Sequence, residues 1–269
     1  MNEFAALTMY DWPEVRADTD AQWAAIRDAL NAAGVDAPDR LTRHNAELPA
    51  VPGGIRDASG AVVSPDPASL PPDDLDAHAM WRHPALLFAQ TCWGPMEHGL
   101  RDDVQLIGQP DYSDCEGGKG AFYSSAILAR RGSVDVAAPA DGAASLPLEA
   151  MRGARFAFNG PDSMSGIIAL TRDLETAGEN LSVFSERLQT GAHRASIAAV
   201  ASGEADICTI DCRSWQLARR FDDNASKVSV IGWTARRRGL PYICARTVPQ
   251  ATVAAMRSAL RSAGIIVDG

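Results

Sequence analysis

Apolar and polar positions in the second half of the chain follow one another in blocks that predict alternating strands and helices. Short continuous apolar runs are typical of buried strands, and apolar residues three or four positions apart are typical of one helix face. The predicted order is strand 155–159, helix 163–177, strand 182–189, helix 192–202, strand 206–210, helix 212–221 and strand 228–233. Strands that alternate with helices indicate a parallel, doubly wound α/β sheet.

The first half of the chain has a less regular pattern. A strand at 5–10 is predicted to stop before Pro13, because proline lacks the N–H that a strand ladder needs. A helix follows, with Asp18 or Thr19 as its N-cap and Gly34 as its stop. Its apolar face consists of Trp23, Ile26, Leu30 and Ala33.

A loop and three strands are predicted next. Residues 49–76 are rich in Pro, Gly, Ser and Asp and indicate a long surface loop, and strands are predicted at 86–91, 104–108 and 122–130.

A change of composition at 132–145, where Ala, Gly, Pro, Asp and Val dominate, is typical of a linker between two lobes. The predicted organisation is therefore 1–130 as the first part of lobe I, 131–233 as lobe II, and 234–269 as a return crossover and the C-terminal part of lobe I. The last segment is assigned to lobe I because its strand, 241–245, and its helix have no place in the alternating unit.

Composition and charge exclude some classes of function. Hydrophobic residues make up 46% of the chain and charged residues 22%, which is ordinary for a soluble globular protein. A net charge of −9 disfavours a nucleic-acid partner, because binding a polyanion needs a dense basic surface. A small anion needs only local positive potential. We expect a monomer.

The N-terminus predicts the location of the protein only in part. The first ten residues contain no Lys or Arg and only a short apolar stretch, so neither a signal peptide nor a membrane anchor is recognised, and no insertion into a bilayer is expected. Taken as written, the chain is predicted to be cytoplasmic. A periplasmic location stays open, because a removed leader would leave the same N-terminus.

The five cysteines show no metal-like or redox-like spacing, so zinc is not expected, and no other metal or cofactor is predicted. Cys92 and Cys115 both lie in loop-like sequence. A disulfide between them in an oxidising compartment and two reduced thiols are equally compatible with this placement.

Polar residues follow the strand at 155–159, where a ligand of an open α/β sheet is expected. Asp162, Ser163 and Ser165 come just before a helical pattern and place hydroxyls and backbone N–H groups at a positive helix start, which is typical of an anion site. Capping by Asp162 or Ser163 is the alternative. Gly166 in the first turn costs helix stability and so indicates a close approach. The whole junction is Asn159, Gly160, Pro161, Asp162, Ser163, Met164, Ser165 and Gly166.

Two further junctions are polar. Thr190 and Gly191 open a helix that carries His193 in its first turn, and this imidazole is either an N–H donor to an oxyanion or an ordinary surface histidine. Asp211 directly follows an apolar strand. It either caps the next helix or accepts a hydrogen bond from a protonated ligand oxygen or an ammonium group.

Four motifs, in this order, resemble those of the phosphate, phosphite and phosphonate substrate-binding proteins of ABC transporters. They are Phe122-Tyr123-Ser124-Ser125, the run from Phe158 to Gly166, the run from Thr190 to Asp211, and Gly232-Trp233-Thr234 with Gly239-Leu240-Pro241-Tyr242. The resemblance implies the type II periplasmic-binding fold, which has two α/β lobes with mostly parallel sheets and a ligand cleft between them. It also implies capture of a small oxyanion by closure of the cleft, and an ABC permease as partner.

The resemblance also implies roles for single residues. The anion site would be lined by Tyr123, Ser124, Asn159, Asp162, Ser163, Met164, Ser165, Gly166, Thr190 and His193. Asp211 would face the far end of the ligand, and Tyr10 and Trp12 would form an aromatic wall in lobe I. The chain has Met164 where many relatives carry a hydroxyl, and it has no clear second acid near Gly239. Both departures favour a small oxyanion over an aminoalkylphosphonate.

Two other functions compete with a solute receptor. A cytosolic enzyme on the same fold would use His193 as acid/base and Cys92 or Ser163 as nucleophile. A ligand-sensing regulator would need a DNA-binding helix or a docking partner. The sequence signals no catalytic triad, no GxxxxGK loop, no metal cluster and no basic recognition helix. We therefore predict a binding protein without catalytic activity.

Overall fold

The protein is described by a computed structural model, which covers residues 2–57 and 59–267. Its strands are β1 (Phe4–Ala6), β2 (Ile55–Arg56), β3 (Val62–Ser64), β4 (Leu86–Gln90), β5 (Val104–Gly108), β6 (Gly118–Lys119), β7 (Phe122–Tyr123), β8 (Ser125–Arg130), β9 (Arg155–Phe158), β10 (Glu186–Gln189), β11 (Ile207–Asp211), β12 (Val228–Trp233), β13 (Arg237–Arg238) and β14 (Tyr242–Ala245). Its helices are α1 (Arg16–Ala32), α2 (Ala77–Arg82), α3 (Trp93–Glu97), α4 (Leu148–Met151), α5 (Ala169–Thr176), α6 (His193–Ser202), α7 (Cys212–Phe221) and α8 (Gln250–Ser262).

The chain forms two compact units. The first comprises Met1–Pro110 and Leu240–Gly269, and the second comprises Asp111–Gly239. The C-terminal strand β14 and helix α8 belong to the first unit. The boundaries differ from the predicted ones, because residues 111–130 belong to the second unit.

The first unit is built on a four-stranded sheet of order β1-β4-β14-β5. β1 and β4 run parallel, and β14 is antiparallel to both β4 and β5. Helices α1 and α8 each bury an apolar stripe in this core, including Trp23, Ile26 and Leu30 of α1 and Met256 of α8.

The predicted limits of one strand and one helix of the first unit are wrong. β1 ends at Ala6 instead of residue 10, because the chain turns at Tyr10, whose carbonyl accepts from the Trp12 N–H at 2.9 Å. α1 begins at Arg16, before both predicted caps, because a 3₁₀ turn at Pro13–Val15 leads straight into it. Within the predicted loop 49–76 lie the short hairpin of β2 and β3 and a 3₁₀ turn.

The second unit contains a five-stranded sheet of order β10-β9-β11-β8-β12. Strands β10, β9 and β11 are parallel, and β8 runs antiparallel to both of its neighbours, β11 and β12. β8 therefore lies inside this sheet, and for this reason residues 125–130 belong to the second unit and not to the first. The expected interlobe linker at 132–145 also lies in this unit, where Ser145 pairs with Trp233.

Three elements of the second unit differ in detail from their predictions. The strand at 122–130 is divided, and β7 joins a small sheet of order β13-β7-β6. The helix at 163–177 begins with a π-helical turn at Met164–Ile168 before α5. The strand at 182–189 is shortened to β10, because a 3₁₀ turn at Leu181–Val183 takes up its first residues.

Candidate functional site

The polar junctions of the second unit lie at one edge of its sheet. Strands β9, β10, β11 and β12 run in the same direction, so their carboxyl ends share this edge with the amino end of the antiparallel β8. The topology therefore brings Asn159, Thr190, Asp211 and Thr234 to one edge, together with Ser125. We call this the carboxyl edge.

The turn at Met164–Ile168 is held by Ser163, its N-cap. The Ser163 Oγ accepts a hydrogen bond from the Gly166 N–H at 3.0 Å, and its carbonyl accepts from both Ile167 and Ile168. The bond from Ile168 spans five residues, which defines the π turn. Of the two predicted caps, Ser163 holds this position and Asp162 precedes it.

Gly166 lies directly against a neighbouring side chain. A Cβ at this position would lie 1.8 Å from the Asn159 Oδ1 and 2.9 Å from the Ser163 Oγ. The carbonyl of Gly166 accepts a hydrogen bond from the Thr209 hydroxyl at 2.6 Å, which fixes the turn against β11. The close approach expected from the sequence is therefore made by Asn159.

His193 connects the π turn to β11. Its Nε2 lies 3.1 Å from the Ser165 Oγ and 3.4 Å from the Asp211 Oδ2. Burial lowers the pKa of His193, and the nearby Asp211 carboxylate opposes this shift. We assign the proton of the neutral ring to Nε2, because an ionised carboxylate only accepts hydrogen bonds. The Nδ1 atom is buried and has no hydrogen-bond partner in the described chain.

Asp211 performs the capping role that its position predicts. It is 2% exposed, and its Oδ1 accepts from the Arg213 and Ser214 N–H groups at 3.1 and 2.9 Å. Its second oxygen faces His193. Both carboxylate oxygens therefore have protein contacts.

The contact of Ser165, His193 and Asp211 is not a hydrolytic triad. In such a triad the acid contacts one imidazole nitrogen and the nucleophile contacts the other. Here the serine and the aspartate both contact Nε2. The sequence suggested the Ser163 hydroxyl as a nucleophile. In the structure this hydroxyl accepts a hydrogen bond from the Gly166 N–H and caps the helical turn. Cys92, the other candidate nucleophile, belongs to the first unit.

Several predicted site residues have structural contacts of their own. The Thr190 hydroxyl contacts the Ser196 hydroxyl at 2.7 Å and the Phe158 carbonyl at 3.1 Å. Ser124 donates to the Gly142 carbonyl at 3.1 Å. Tyr123 is buried with its ring 5.5 Å from that of Tyr112. Met164 is also buried.

Ser125 was not predicted as a site residue. It is fully buried, its Oγ has no hydrogen-bond partner within residues 2–57 and 59–267, and it pairs directly with Asp211 across β8 and β11. Directly paired residues present their side chains on the same face of a sheet. Neighbouring residues of a strand face opposite sides of the sheet. The sequence therefore indicates that one of Ser124 and Ser125 faces the site, but it does not show which one.

In the first unit, Tyr10 and Trp12 lie half-buried in the turn after β1. Thr91, directly after β4, is fully buried, and its Oγ1 has no partner in the described part of the chain. In the sequence, Thr91 was recognised only as the last residue of the predicted strand 86–91.

One arginine of the first unit is paired with two carboxylates beside a cavity. Arg43 contacts Asp11 at 2.6 Å and Asp20 at 2.9 Å, beside a cavity of about 670 Å³. The Arg43 guanidinium is therefore already paired with two carboxylates. Among the described residues, no group of three or more His, Cys, Asp or Glu is arranged to hold a metal ion.

Residues 96–265, more than half of the chain, match the family model described as ABC transporter, phosphonate, periplasmic substrate-binding protein. The chain belongs to this family. This membership confirms the resemblance seen in the sequence and identifies the chain as a substrate-binding component of an ABC importer. A search of curated proteins found no match.

Solved structures of this family share the fold. PhnD1 from Prochlorococcus marinus, in complex with methylphosphonate, matches with a TM-score of 0.61 and 15% identity, covering 97% of this chain and 82% of that chain. A binding protein component of an ABC phosphonate transporter from Pseudomonas aeruginosa matches with a TM-score of 0.57 and 15% identity, covering 97% and 74%. At such identities the likeness establishes the fold alone, and it confirms the predicted periplasmic-binding class.

In the described ranges, each helix is too short or too polar to cross a bilayer.

Proposed function

We propose that this family member binds a small phosphorus oxyanion that keeps a proton, such as phosphate, phosphite or methylphosphonate, at the carboxyl edge of the second unit. The observation that carries the proposal is the buried contact of Ser165, His193 and Asp211, beside the partnerless polar atoms of Ser125 and Asn159. Buried polar atoms without protein partners are costly, so several of them at one sheet edge indicate a site for a polar ligand.

The protonation of the site supports this ligand class. With the His193 proton on Nε2, the Ser165 hydroxyl can accept from the ring and donate its own proton to an anion. The partnerless Nδ1 is then an acceptor for a P–OH group. A fully ionised anion near Asp211 would be repelled, because no proton or cation lies between the two charges.

The contacts of Asp211 disfavour an aminoalkylphosphonate as the preferred ligand. One oxygen accepts two helix N–H groups and the other faces His193, so the carboxylate already has partners that an ammonium group would have to displace.

The wider role follows from family membership. We infer that the protein releases its ligand unchanged to an ABC permease, acts as a monomer on the periplasmic side of the membrane, and contacts no nucleic acid. The residues proposed from sequence to bind the ligand, together with Ser125, constitute the proposed site, with Ser163 and Ser165 as principal donors.

The test is a thermal-shift and calorimetry panel of phosphate, phosphite, methylphosphonate, 2-aminoethylphosphonate and sulfate. A ligand that binds only the folded state stabilises it by about 2.7 kcal/mol at a concentration 100-fold above Kd. We expect the first three anions to raise the Tm and sulfate to leave it unchanged, and phosphorus NMR should recover the bound anion unaltered.

Ser165→Ala should weaken binding of the preferred anion by about 1.5–3 kcal/mol, the scale of a hydrogen bond to a charged group. Ser133→Ala is the matched control, because Ser133 is exposed and follows the opposite end of β8. Equal affinities of the Ser165 variant and the wild type, or equal binding of sulfate and phosphate, would contradict the proposed site.

A further inference from the structure

Residues 114–116, the segment before β6, are held against α7 by several side-chain contacts. Arg213 contacts Asp114 at 2.8 Å, and the Gln216 Nε2 donates to the Asp114 carbonyl at 3.0 Å. One turn further along, Arg219 contacts Glu116 at 3.1 Å. Contacts at successive turns hold the segment in one register against the helix, with Cys115 at its centre.

Two cysteines meet at this junction. The Cys115 Sγ lies 3.5 Å from the Gln216 Oε1, and Cys212 lies one turn before Gln216 on the same helix face. The Cys115 thiol is close enough to the Cys212 thiol to be the main cause that raises its pKa. The two residues are 1% and 5% exposed, and both are reduced in the structure. Cys92, which the sequence suggested as a partner for Cys115, belongs to the other unit.

We propose that Cys115 and Cys212 are a disulfide site, which is oxidised when the chain folds in the presence of a small disulfide such as oxidised glutathione. One protein thiolate attacks the small disulfide and releases one thiolate from it. The second protein thiolate then attacks the mixed disulfide and releases the other. The protein loses two hydrogen atoms, and the small disulfide becomes two thiols.

The reaction is expected during folding. The hydrogen bond to Cys115, followed by burial, raises the pKa of Cys212, so its thiolate is scarce in the folded protein. Before the segment docks on α7 both thiols are exposed, and docking then brings them together.

The crosslink would close a loop of roughly 100 residues that contains most of the second unit. A loop of this length restricts the unfolded chain strongly, and we expect the oxidised protein to melt roughly 5–10 °C above the reduced protein.

The experiment refolds the wild-type protein with oxidised or reduced glutathione, blocks remaining thiols under denaturing conditions, and maps the peptides by mass spectrometry. We expect a peptide that joins Cys115 to Cys212 only in the oxidised sample, and a higher Tm for that sample. Cys115→Ser and Cys212→Ser should each abolish the linked peptide and the Tm difference, whereas Cys244→Ala, in the first unit, should keep both.

Full alkylation of both cysteines after oxidative refolding, or a linked peptide that joins Cys115 to Cys92, would overturn the proposal. Because peptide mapping is performed on the wild-type chain, the result does not depend on whether the variants fold.

Discussion

Asp211 has two roles that a single substitution can separate. Its Oδ1 caps α7, and its Oδ2 holds His193. Asparagine caps a helix about as well as aspartate, but it carries no charge. Asp211→Asn should therefore reduce the preference for phosphate over sulfate, while it lowers the free energy of unfolding by about 1 kcal/mol or less.

Calorimetric titration of Asp211→Asn with both anions measures this preference. Asp222→Asn is the matched control, because Asp222 also caps a helical turn of the second unit through its side chain. If the ratio of the phosphate and sulfate affinities is unchanged in Asp211→Asn, Asp211 acts only as a helix cap.

At the scale of elements, the carboxyl edge depends on how the π turn packs against β9 and β11. A Cβ at position 166 would clash with the Asn159 side chain, which would have to move to admit it. The Thr209 hydroxyl on β11 holds the same turn by donating a hydrogen bond to the Gly166 carbonyl. The positions of Ser163 and Ser165 are thus set by the packing of three elements.

Gly166→Ala should displace Asn159 and lower the free energy of unfolding by about 1–3 kcal/mol, the usual cost of overpacking. It should also weaken anion binding, since Asn159 belongs to the proposed site. Chemical denaturation and calorimetry measure the two effects. In Gly166→Ala combined with Asn159→Ala, stability should recover and affinity should not. If the double variant is as unstable as Gly166→Ala, the clash with Asn159 is not the cause.

At the scale of the whole molecule, each unit contains a histidine whose pKa is lowered by burial. Burial is the main cause that lowers the pKa of both His83 and His193 from the ordinary value of 6.5. In the first unit, the His83 Nδ1 accepts from the Ala85 N–H at 3.0 Å and its Nε2 contacts the Pro49 carbonyl at 2.8 Å.

These shifts predict that the ligand-free protein loses stability in acid. Below pH 6.5 the unfolded chain takes up protons that the folded chain binds only at lower pH, so the free energy of unfolding falls as pH decreases. Urea unfolding between roughly pH 5 and 8 should show this slope. His193→Gln should reduce this slope to the contribution of His83, and His98→Gln, at an exposed position, should leave it unchanged. A slope that persists unchanged in His193→Gln would contradict the assignment of a neutral buried ring.

The sequence by itself determined the elements whose signal is local. β5, β12 and α7 have the predicted limits, because a continuous apolar run or an apolar helix face is a property of neighbouring residues. The Asp211 cap is local in the same sense, since an N-cap bonds to N–H groups two and three residues later. The ordered motifs also predicted the family and its fold.

Only the tertiary structure decided which distant residues meet. The position of β8 between β11 and β12 joins strands about 80 to 100 residues apart, and no periodicity within one strand specifies its partners. That pairing turns Ser125, rather than Ser124, to the face of Asp211. The docking of the segment before β6 on α7 likewise places Cys115 beside Cys212, because ion pairs and burial between distant segments act only after the chain has folded.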